Sequence, residues 1–288
     1  MIKRKKLRLM RLGALVLLLL ATAWGSAVPA VAYVLDGRHV IELMLDQMNL
    51  SNQLRVDQTL SLFDDRFEGG AIAVRQRVNY RIPARFRSEI KTDNLHRIYI
   101  DAGNKSLTLV DNKVVSQSRD VALQYKELFC YHSRKALVDQ LSYLGMNVAL
   151  SSYGRWQQKV VFVLGARNPN ESSPQLWVDK ESFLPVRWIF QTGKSPDGPN
   201  RIEFHYEDWH QVGGSRYPRV IKQFQDERLT RKIEIHHIET NPEISDNLFN
   251  IDYLKAGATK SGSVSGEPVP EDDVDQQIRE FREIFQSD

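Results

Sequence analysis

A cysteine and a histidine stand two residues apart, at Cys130 and His132, and could act as a nucleophile with its base. Residues this close in sequence point apart on a helix or a strand, and a lone cysteine is more often a small buried hydrophobe. The chain has no Gly-x-Ser-x-Gly turn, no Gly-rich phosphate loop and no His-Glu-x-x-His pair. The sequence therefore predicts no catalytic residue, and a hydrolase is the least supported hypothesis.

Two histidine-containing groups could bind a metal ion. His236 and His237 are adjacent, and adjacent residues of a strand face opposite sides, so we expect one exposed and one half-buried histidine. Glu203, His205 and Glu207 share a strand face and could bind a cation, although a solvated polar face accounts for them equally well. Because no second group of metal ligands is evident, the sequence predicts no metal and no cofactor.

The first 32 residues have the layout of a secretory signal peptide, with six basic residues, an apolar run over 12–24 and an Ala-Val-Ala site ending at Ala32. The apolar run is shorter than the roughly 20 residues that span a bilayer. No cysteine follows it to carry a lipid anchor, because Cys130 is the single cysteine. We predict cleavage near Ala32 and, from the type of leader and the lack of disulfide density, a bacterial periplasmic location.

Removal of this leader changes the charge of the protein. Without its six basic residues the chain has 33 basic and 36 acidic residues, a net charge of −3. Arg75, Arg77 and Arg81 form a basic stripe on one predicted strand, but Tyr80 lies on the opposite face and could not stack on a base beside them. We therefore predict no nucleic-acid partner, and we expect a monomer.

Most of the chain reads as short strands joined by polar turns. Residues 71–82 alternate between an apolar and a basic face, with Gln76 interrupting the apolar one, and Pro83 ends the strand. Similar alternation recurs over 185–191 and 202–207. The apolar positions of these stretches are the candidate ligand contacts, and each could equally be ordinary core. They are Ile72, Val74, Val78, Tyr80, Ile82, Val186, Trp188, Phe190, Ile202, Phe204 and Tyr206.

Helical spacing interrupts the strands in a few places. Asp36 is a candidate N-cap for a helix ending near Asn49, with apolar residues on one face. A second helix begins at Ser133 and ends at Gly145, and an earlier one spans 123–131. These helices are long enough to cover the concave side of a curved sheet. The pattern predicts a mainly β protein with helices, an α+β class in which a curved antiparallel sheet forms an incomplete half-barrel.

The composition changes near the C-terminus. Residues 256–270 are rich in Gly and Ser and are predicted to be a flexible linker after a domain over 33–255. Residues 271–288 read as an acidic helix or tail, and the stretch 267–288 has eight acidic residues and two arginines. This tail could dock on the domain, which has the opposite charge, dock on another protein, or stay disordered.

Three segments together resemble the outer-membrane lipoprotein carrier (LolA/LolB-like) superfamily. They are "NYRIPARFRSEI" at 79–90, "IYIDAGNKSLTLVDNKVV" at 98–115 and "LWVDKESFLPVRWIF" at 176–190. They follow each other along the chain in the same order as the strand-Pro-strand element and the later hairpins of that family. The chain therefore resembles a divergent relative of the carriers. The carriers have an arginine directly before the proline that helps to hold the lid helices. That position is Ile82 here, and Arg81 is expected on the other face.

The resemblance implies a half-barrel with helices over its concave side, and a dry cavity that shelters the acyl chains of a lipoprotein or lipid. It also implies a transport partner at the inner or the outer membrane. Burial of each methylene group is worth about 0.8 kcal/mol, so such binding needs no catalytic group. The alternative is an envelope sensor or assembly factor that uses the same fold and the acidic tail to bind proteins.

Overall fold

The computed structural model describes residues 34–261, except 66, 94, 118, 168–169 and 196–197. The predicted leader over 1–32 and the predicted acidic segment over 271–288 lie outside these residues. Within the described part of the chain, thirteen strands form one sheet. They are β1 (Gln53–Phe63), β2 (Ala71–Arg81), β3 (Arg85–Lys91), β4 (His96–Ala102), β5 (Lys105–Val110), β6 (Lys113–Ser116), β7 (Ser151–Trp156), β8 (Lys159–Leu164), β9 (Gln175–Asp179), β10 (Pro185–Ser195), β11 (Gly198–Val212), β12 (Ser215–Gln225) and β13 (Arg228–Thr240).

The sheet is antiparallel throughout, in the order β6-β5-β4-β3-β2-β1-β13-β12-β11-β10-β9-β8-β7. Strands that follow each other in sequence pair with each other, except β6 and β7, and the last strand β13 returns to pair with β1. The described residues leave β6 and β7 as separate end strands, so the curved sheet stays open as an incomplete barrel. The predicted α+β class and the antiparallel half-barrel are confirmed.

Helix α1 (Gly37–Met48) crosses one side of this sheet. It begins where the Asp36 side chain accepts a hydrogen bond from the Arg38 backbone N–H at 2.9 Å, as the N-cap prediction requires. Gly37 lies against Leu164 of β8. After the other end of the helix, the Asn49 side chain donates to the Gly214 carbonyl beside β12 at 3.1 Å. Twelve helical residues span about 18 Å, and the four strand spacings from β8 to β12 add up to roughly 19 Å. The helix is therefore long enough to run from β8 to β12.

Two further helical segments continue this cover. The helix predicted over 123–131 is a 3₁₀ segment, Val121–Phe129, in which every residue after the first is buried. We call Val121–Phe129 the cover segment. Helix α2 (Arg134–Tyr143) follows, begins at Ser133 as predicted, buries Leu137 and Leu141, and contacts α1.

The last helix, α3 (Ile251–Ser261), packs on the opposite side of the sheet. Its residues Ile251, Leu254 and Ala258 contact an apolar cluster from β4 and β5, made of Ile98, Ile100, Leu107 and Leu109. The prediction of a linker from residue 256 is therefore wrong for residues 256–261, because Ala258 completes an apolar stripe at helical spacing. Residues 262–270 of the predicted linker lie outside the described part of the chain. Among the described residues, no helix has the length and apolar character needed to cross a membrane.

Candidate functional site

One face of the sheet contacts the cover segment, and we call it the inner face. Phe129 of the cover segment packs against Tyr217 of β12 at 4.6 Å and Tyr206 of β11 at 5.9 Å between ring centroids. Tyr125 packs against Phe204 of β11 at 6.1 Å. The inner face of β11 and β12 is therefore aromatic and is filled by side chains of the cover segment.

Strand pairing carries the inner face across the sheet in continuous rows. One row runs from Tyr206 through Ile221, Ile233 and Leu60 to Val74. The next row runs from Phe204 to Ile72 and includes Gln223, Arg231 and Leu62. Candidate residues from two distant parts of the sequence thus share one face, because β13 returns to β1.

Most of the eleven candidate residues lie together on this face. Val78, Tyr80, Trp188, Phe190, Ile202, Phe204 and Tyr206 are buried there, whereas Ile72 and Val74 near the start of β2 are half-buried. Ile82 lies just beyond the end of β2 and donates its backbone N–H to the Asn52 carbonyl at 2.9 Å. Nothing in this arrangement identifies a bound molecule, so ligand contact stays a prediction for each of them.

Val186 does not share the face of Trp188, contrary to the alternation expected for this strand. The pairing of β9 with β10 shifts register between Pro185 and Arg187. Val186 consequently packs against a cluster that includes Val161, Val163 and Trp177. Such an irregularity inverts the alternation that a sequence pattern assumes.

Buried ion pairs hold the cover segment against β4. The Lys126 ammonium lies 2.8 Å from the Asp101 carboxylate and also contacts Glu127, and all three side chains are at most 6% exposed. Burial alone would lower the pKa of Lys126, but the neighbouring carboxylates of Glu127 and Asp101 raise it above its usual value. Arg97 adds a second link at 2.9 Å to Asp120, the residue that caps the cover segment.

The carrier resemblance assigns the holding of the lid helices to an arginine directly before the proline, a position that is Ile82 here. The neighbouring Arg81 instead forms an ion pair with Asp246, in the turn that precedes α3. The cover segment is instead linked to the sheet by the ion pairs of Lys126 with Asp101 and of Arg97 with Asp120. The sequence prediction missed Lys126 and Asp101, because nothing local marks two distant charged residues as partners.

A polar row interrupts the apolar inner face. Gln58 of β1 donates to Gln76 of β2 at 2.6 Å, and Gln76 donates to the Ser88 hydroxyl of β3 at 2.6 Å. All three side chains are buried. The signal that could have revealed this row was Gln76, which interrupts the apolar alternation of its strand, but its partners became visible only with the strand register.

The opposite, outer face holds a network of charges at β10 and β11. Arg187 donates to the carboxylates of Glu203 at 2.8 Å and Glu171 at 2.8 Å, and its guanidinium carbon lies over the rings of Trp156 and Trp177, at 4.7 and 4.5 Å from their centroids. Burial would raise the pKa of Glu203, but hydrogen bonds from His205 and Arg187 lower it to about 2. The expectation of a solvated polar face is therefore wrong at Glu203, which is buried among cationic partners.

The remaining chemical candidates differ in how far they are exposed to solvent. Cys130 is buried, and burial raises the pKa of its thiol, whereas His132 is exposed.

His236 and His237 are both exposed, so the prediction that one of these two histidines is half-buried is wrong. A register shift between β1 and β13 at this position lets both rings face solvent. The described residues contain no group of three or more His, Cys, Asp or Glu side chains that could hold a metal ion.

Comparison with known proteins identifies the fold. No protein-family model and no curated protein matches the chain. A LolA superfamily protein from Nitrosomonas europaea superposes with a TM-score of 0.51 at 11% identity, covering 76% of this chain and 100% of its own. A domain from Vibrio parahaemolyticus, provisionally classed as an outer membrane lipoprotein-sorting protein, gives 0.50 at 10% identity and covers 76% and 98%. The chain therefore has the fold of the LolA superfamily, and the predicted resemblance to that superfamily is confirmed at the level of the fold.

Proposed function

We propose that this protein is a non-enzymatic periplasmic binding protein that carries the acyl chains of a lipoprotein or lipid on its inner face. The observation that supports this most directly is the continuity of the apolar row that runs from Tyr206 of β11 to Val74 of β2 beneath a separate cover segment. A hydrocarbon chain gains about 0.8 kcal/mol for each methylene group that leaves water, so an apolar trough is sufficient for binding. The shared fold with a domain classed in lipoprotein sorting agrees with this role.

The half-buried end of the inner face is where we expect a ligand to enter. Ile72 and Val74 belong to the two rows that continue under the cover segment, yet both are only half-buried. Phe204, at the other end of the Ile72 row, and its neighbour Trp188 are buried. An acyl chain could contact this end before the cover segment moves. Outer-membrane lipoprotein sorting, with a donor or acceptor protein at a membrane, is the process that we assign to such a carrier.

The experiment is mass spectrometry of organic extracts from mature protein purified without detergent, followed by titration with a fluorescent fatty acid. We expect co-purified acyl species and saturable binding. Val74→Asn should weaken probe binding at least fivefold, since it places an amide on the inner face. Ala73→Asn is the matched control, because Ala73 is exposed on the outer face of the same strand. Absence of acyl species together with absence of probe binding would refute the carrier.

A second function, an envelope sensor or assembly factor, is favoured by one observation. The cover segment fills the aromatic inner face with its own Phe129 and Tyr125. In that function the acidic tail binds a partner protein, and its removal abolishes binding while the fold persists. Truncation should begin at residue 262, because an earlier cut removes part of α3 and uncovers Ile98, Ile100, Leu107 and Leu109. A truncated protein that still takes up acyl probe but no longer binds its partner would support both activities.

A further inference from the structure

Helix α3 has apolar residues on two of its sides. One side packs on the sheet through residues such as Leu254 and Ala258. On another side Tyr253, Ala256 and Gly257 follow each other at helical spacing, and all three are exposed, with Tyr253 at 60%. A surface helix usually carries charged residues on the side that faces solvent. The small residues Ala256 and Gly257 leave room for a second helix to approach closely.

The end strand β6 extends this exposed apolar area. Val114 of β6 pairs with Leu109 of β5, whose side chain lies under α3, so Val114 faces the same side of the sheet as the helix. Val114 is 41% exposed. Tyr253 and Val114 are thus two of the four large hydrophobic residues that are exposed in the described part of the chain. We call Tyr253, Ala256, Gly257 and Val114 the α3 surface.

The C-terminal segment of the same chain is long enough to reach the α3 surface. Helix α3 ends at Ser261, and residues 262–288 follow it directly. The nine residues 262–270 can extend over about 30 Å, whereas α3 is about 16 Å long, so residues 271–288 can return along the helix. A flexible tether of this length keeps the two parts at a millimolar effective concentration, and a small contact area is then sufficient for docking.

The C-terminal segment also has the pattern and the charge that suit this surface. Its apolar residues recur every three or four positions and form one side of a predicted helix: Val274, Ile278, Phe281 and Phe285. Residues 267–288 contain eight acidic residues and two arginines. Lys105 lies beside the start of α3, is 62% exposed, and has only a loose pair with Asp252 at 3.6 Å. An acidic segment on the α3 surface would therefore place carboxylates near this lysine.

We propose that residues 271–288 form a helix that docks on the α3 surface of the same chain, antiparallel to α3. Its apolar side covers Tyr253 and Val114, and its acidic side chains lie near Lys105. The α3 surface belongs to the outer side of the sheet, so this docking is independent of whether the inner face carries an acyl chain. A partner protein that binds the acidic tail would first have to displace it from α3.

A nitroxide label at Asn104→Cys in the full mature chain tests the position of the tail by nuclear magnetic resonance. Asn104 is in the exposed turn before Lys105, and the native Cys130 is buried, so the label attaches to the new thiol. Lys105 lies at the start of α3, whereas the tail leaves from its end. Antiparallel docking should broaden the amide signals most strongly over 281–285. Broadening that decreases steadily from residue 262 toward the C-terminus would show an undocked tail and overturn the proposal.

Two pairs of variants test the contacts themselves. Tyr253→Ala and Phe281→Asp should each lower the ratio of docked to undocked tail about tenfold, as expected for the loss of one buried aromatic contact. Tyr143→Ala is the control for the first, because Tyr143 is 79% exposed on α2. Gln276→Asp is the control for the second, since it adds the same charge on the opposite side of the predicted helix. Both controls should keep the broadening of the unaltered chain.

Two results with these samples would refute docking within one chain. Broadening that persists unchanged in both Tyr253→Ala and Phe281→Asp would show that the tether alone brings the tail close to the label. Mixing nitroxide-labelled molecules with isotope-labelled molecules separates docking within a chain from docking between copies. Broadening in such a mixture would show that the tail binds a second copy of the protein.

Discussion

Single residues in this protein are held by partners that come from distant parts of the chain. Arg187 of β10 bonds Glu203 of β11 and Glu171 of the loop before β9, so one guanidinium connects three segments. Lys126 is held in the same way by Asp101, 25 positions earlier in the chain, and it also contacts the adjacent Glu127. Because these groups are buried, removal of one partner leaves an uncompensated charge, which is far more costly than the loss of an exposed pair.

Gly37 occupies a position that no larger residue can take. A side-chain carbon at Gly37 would overlap the carbonyl oxygen of Val148, which is backbone and cannot rotate away. We expect Gly37→Ala to lower the free energy of unfolding by about 1–3 kcal/mol. Gly257→Ala in α3 is the control, because a methyl group added there would meet no atom within 4 Å, and it should be neutral or stabilising by up to about 1 kcal/mol. Urea unfolding measures both, and equal effects would contradict the overlap.

Glu203 should make stability dependent on acid. Its pKa is about 2 in the folded protein, below the roughly 4.3 of an unfolded glutamate, so its stabilising effect is complete above about pH 4.3 and is lost as the pH falls toward 2. Glu203→Gln should lower the free energy of unfolding by about 3 kcal/mol at pH 7 and by much less near pH 2. Denaturant titrations at several pH values measure this difference.

The control for that series is Glu207→Gln on the same strand. Glu207 bonds Lys222 at 2.8 Å in a more exposed setting, so its removal should cost less than about 1 kcal/mol at pH 7. A Glu203→Gln deficit that does not shrink with falling pH would show that the carboxylate acts through packing and not through its charge.

At the scale of elements, the cover segment differs from the strands that it covers. No backbone ladder joins Val121–Phe129 to the sheet in the described hydrogen bonds, and its links to β4 are the ion pairs of Lys126 with Asp101 and of Arg97 with Asp120. Aromatic contacts of Phe129 and Tyr125 supply the rest. An element held by side chains alone can separate without breaking the sheet, as a carrier requires.

Lys126→Met tests this linkage. The change leaves Asp101 and Glu127 buried without their cation, and we expect the free energy of unfolding to fall by about 3–5 kcal/mol. Amide hydrogen exchange should accelerate over Val121–Phe129 more than over β1, since the cover segment opens first. Lys135→Met is the control, because Lys135 forms an exposed pair with Asp139 and should change stability by less than about 1 kcal/mol. Uniform acceleration across the sheet would argue against separate opening.

At the scale of the whole molecule, local patterns predict the strands and helices, and distant pairing determines the site. Alternation over 71–82 and the Asp36 and Ser133 caps were sufficient for β2, α1 and α2, because these signals are short-range. Val186 and one histidine of the pair His236 and His237 were misplaced where register shifts break the alternation. The contact of Tyr125 with Gln58 could not be foreseen, since these residues are 67 positions apart and their side chains meet only in the folded chain.

Phe129 distinguishes the two proposed functions of the whole protein. Its ring contacts Tyr217, Tyr206, Trp209 and Tyr80, so Phe129→Ala removes the centre of the aromatic filling. If the inner face carries acyl chains, a hydrocarbon ligand can replace the lost ring, and saturating fatty acid should restore most of the roughly 3–5 kcal/mol that the truncation removes. If the inner face is ordinary core, the variant should be destabilised equally with and without ligand. Leu137→Ala, in the buried face of α2, is the control that should lose stability without recovery, and recovery of both variants would indicate unspecific binding.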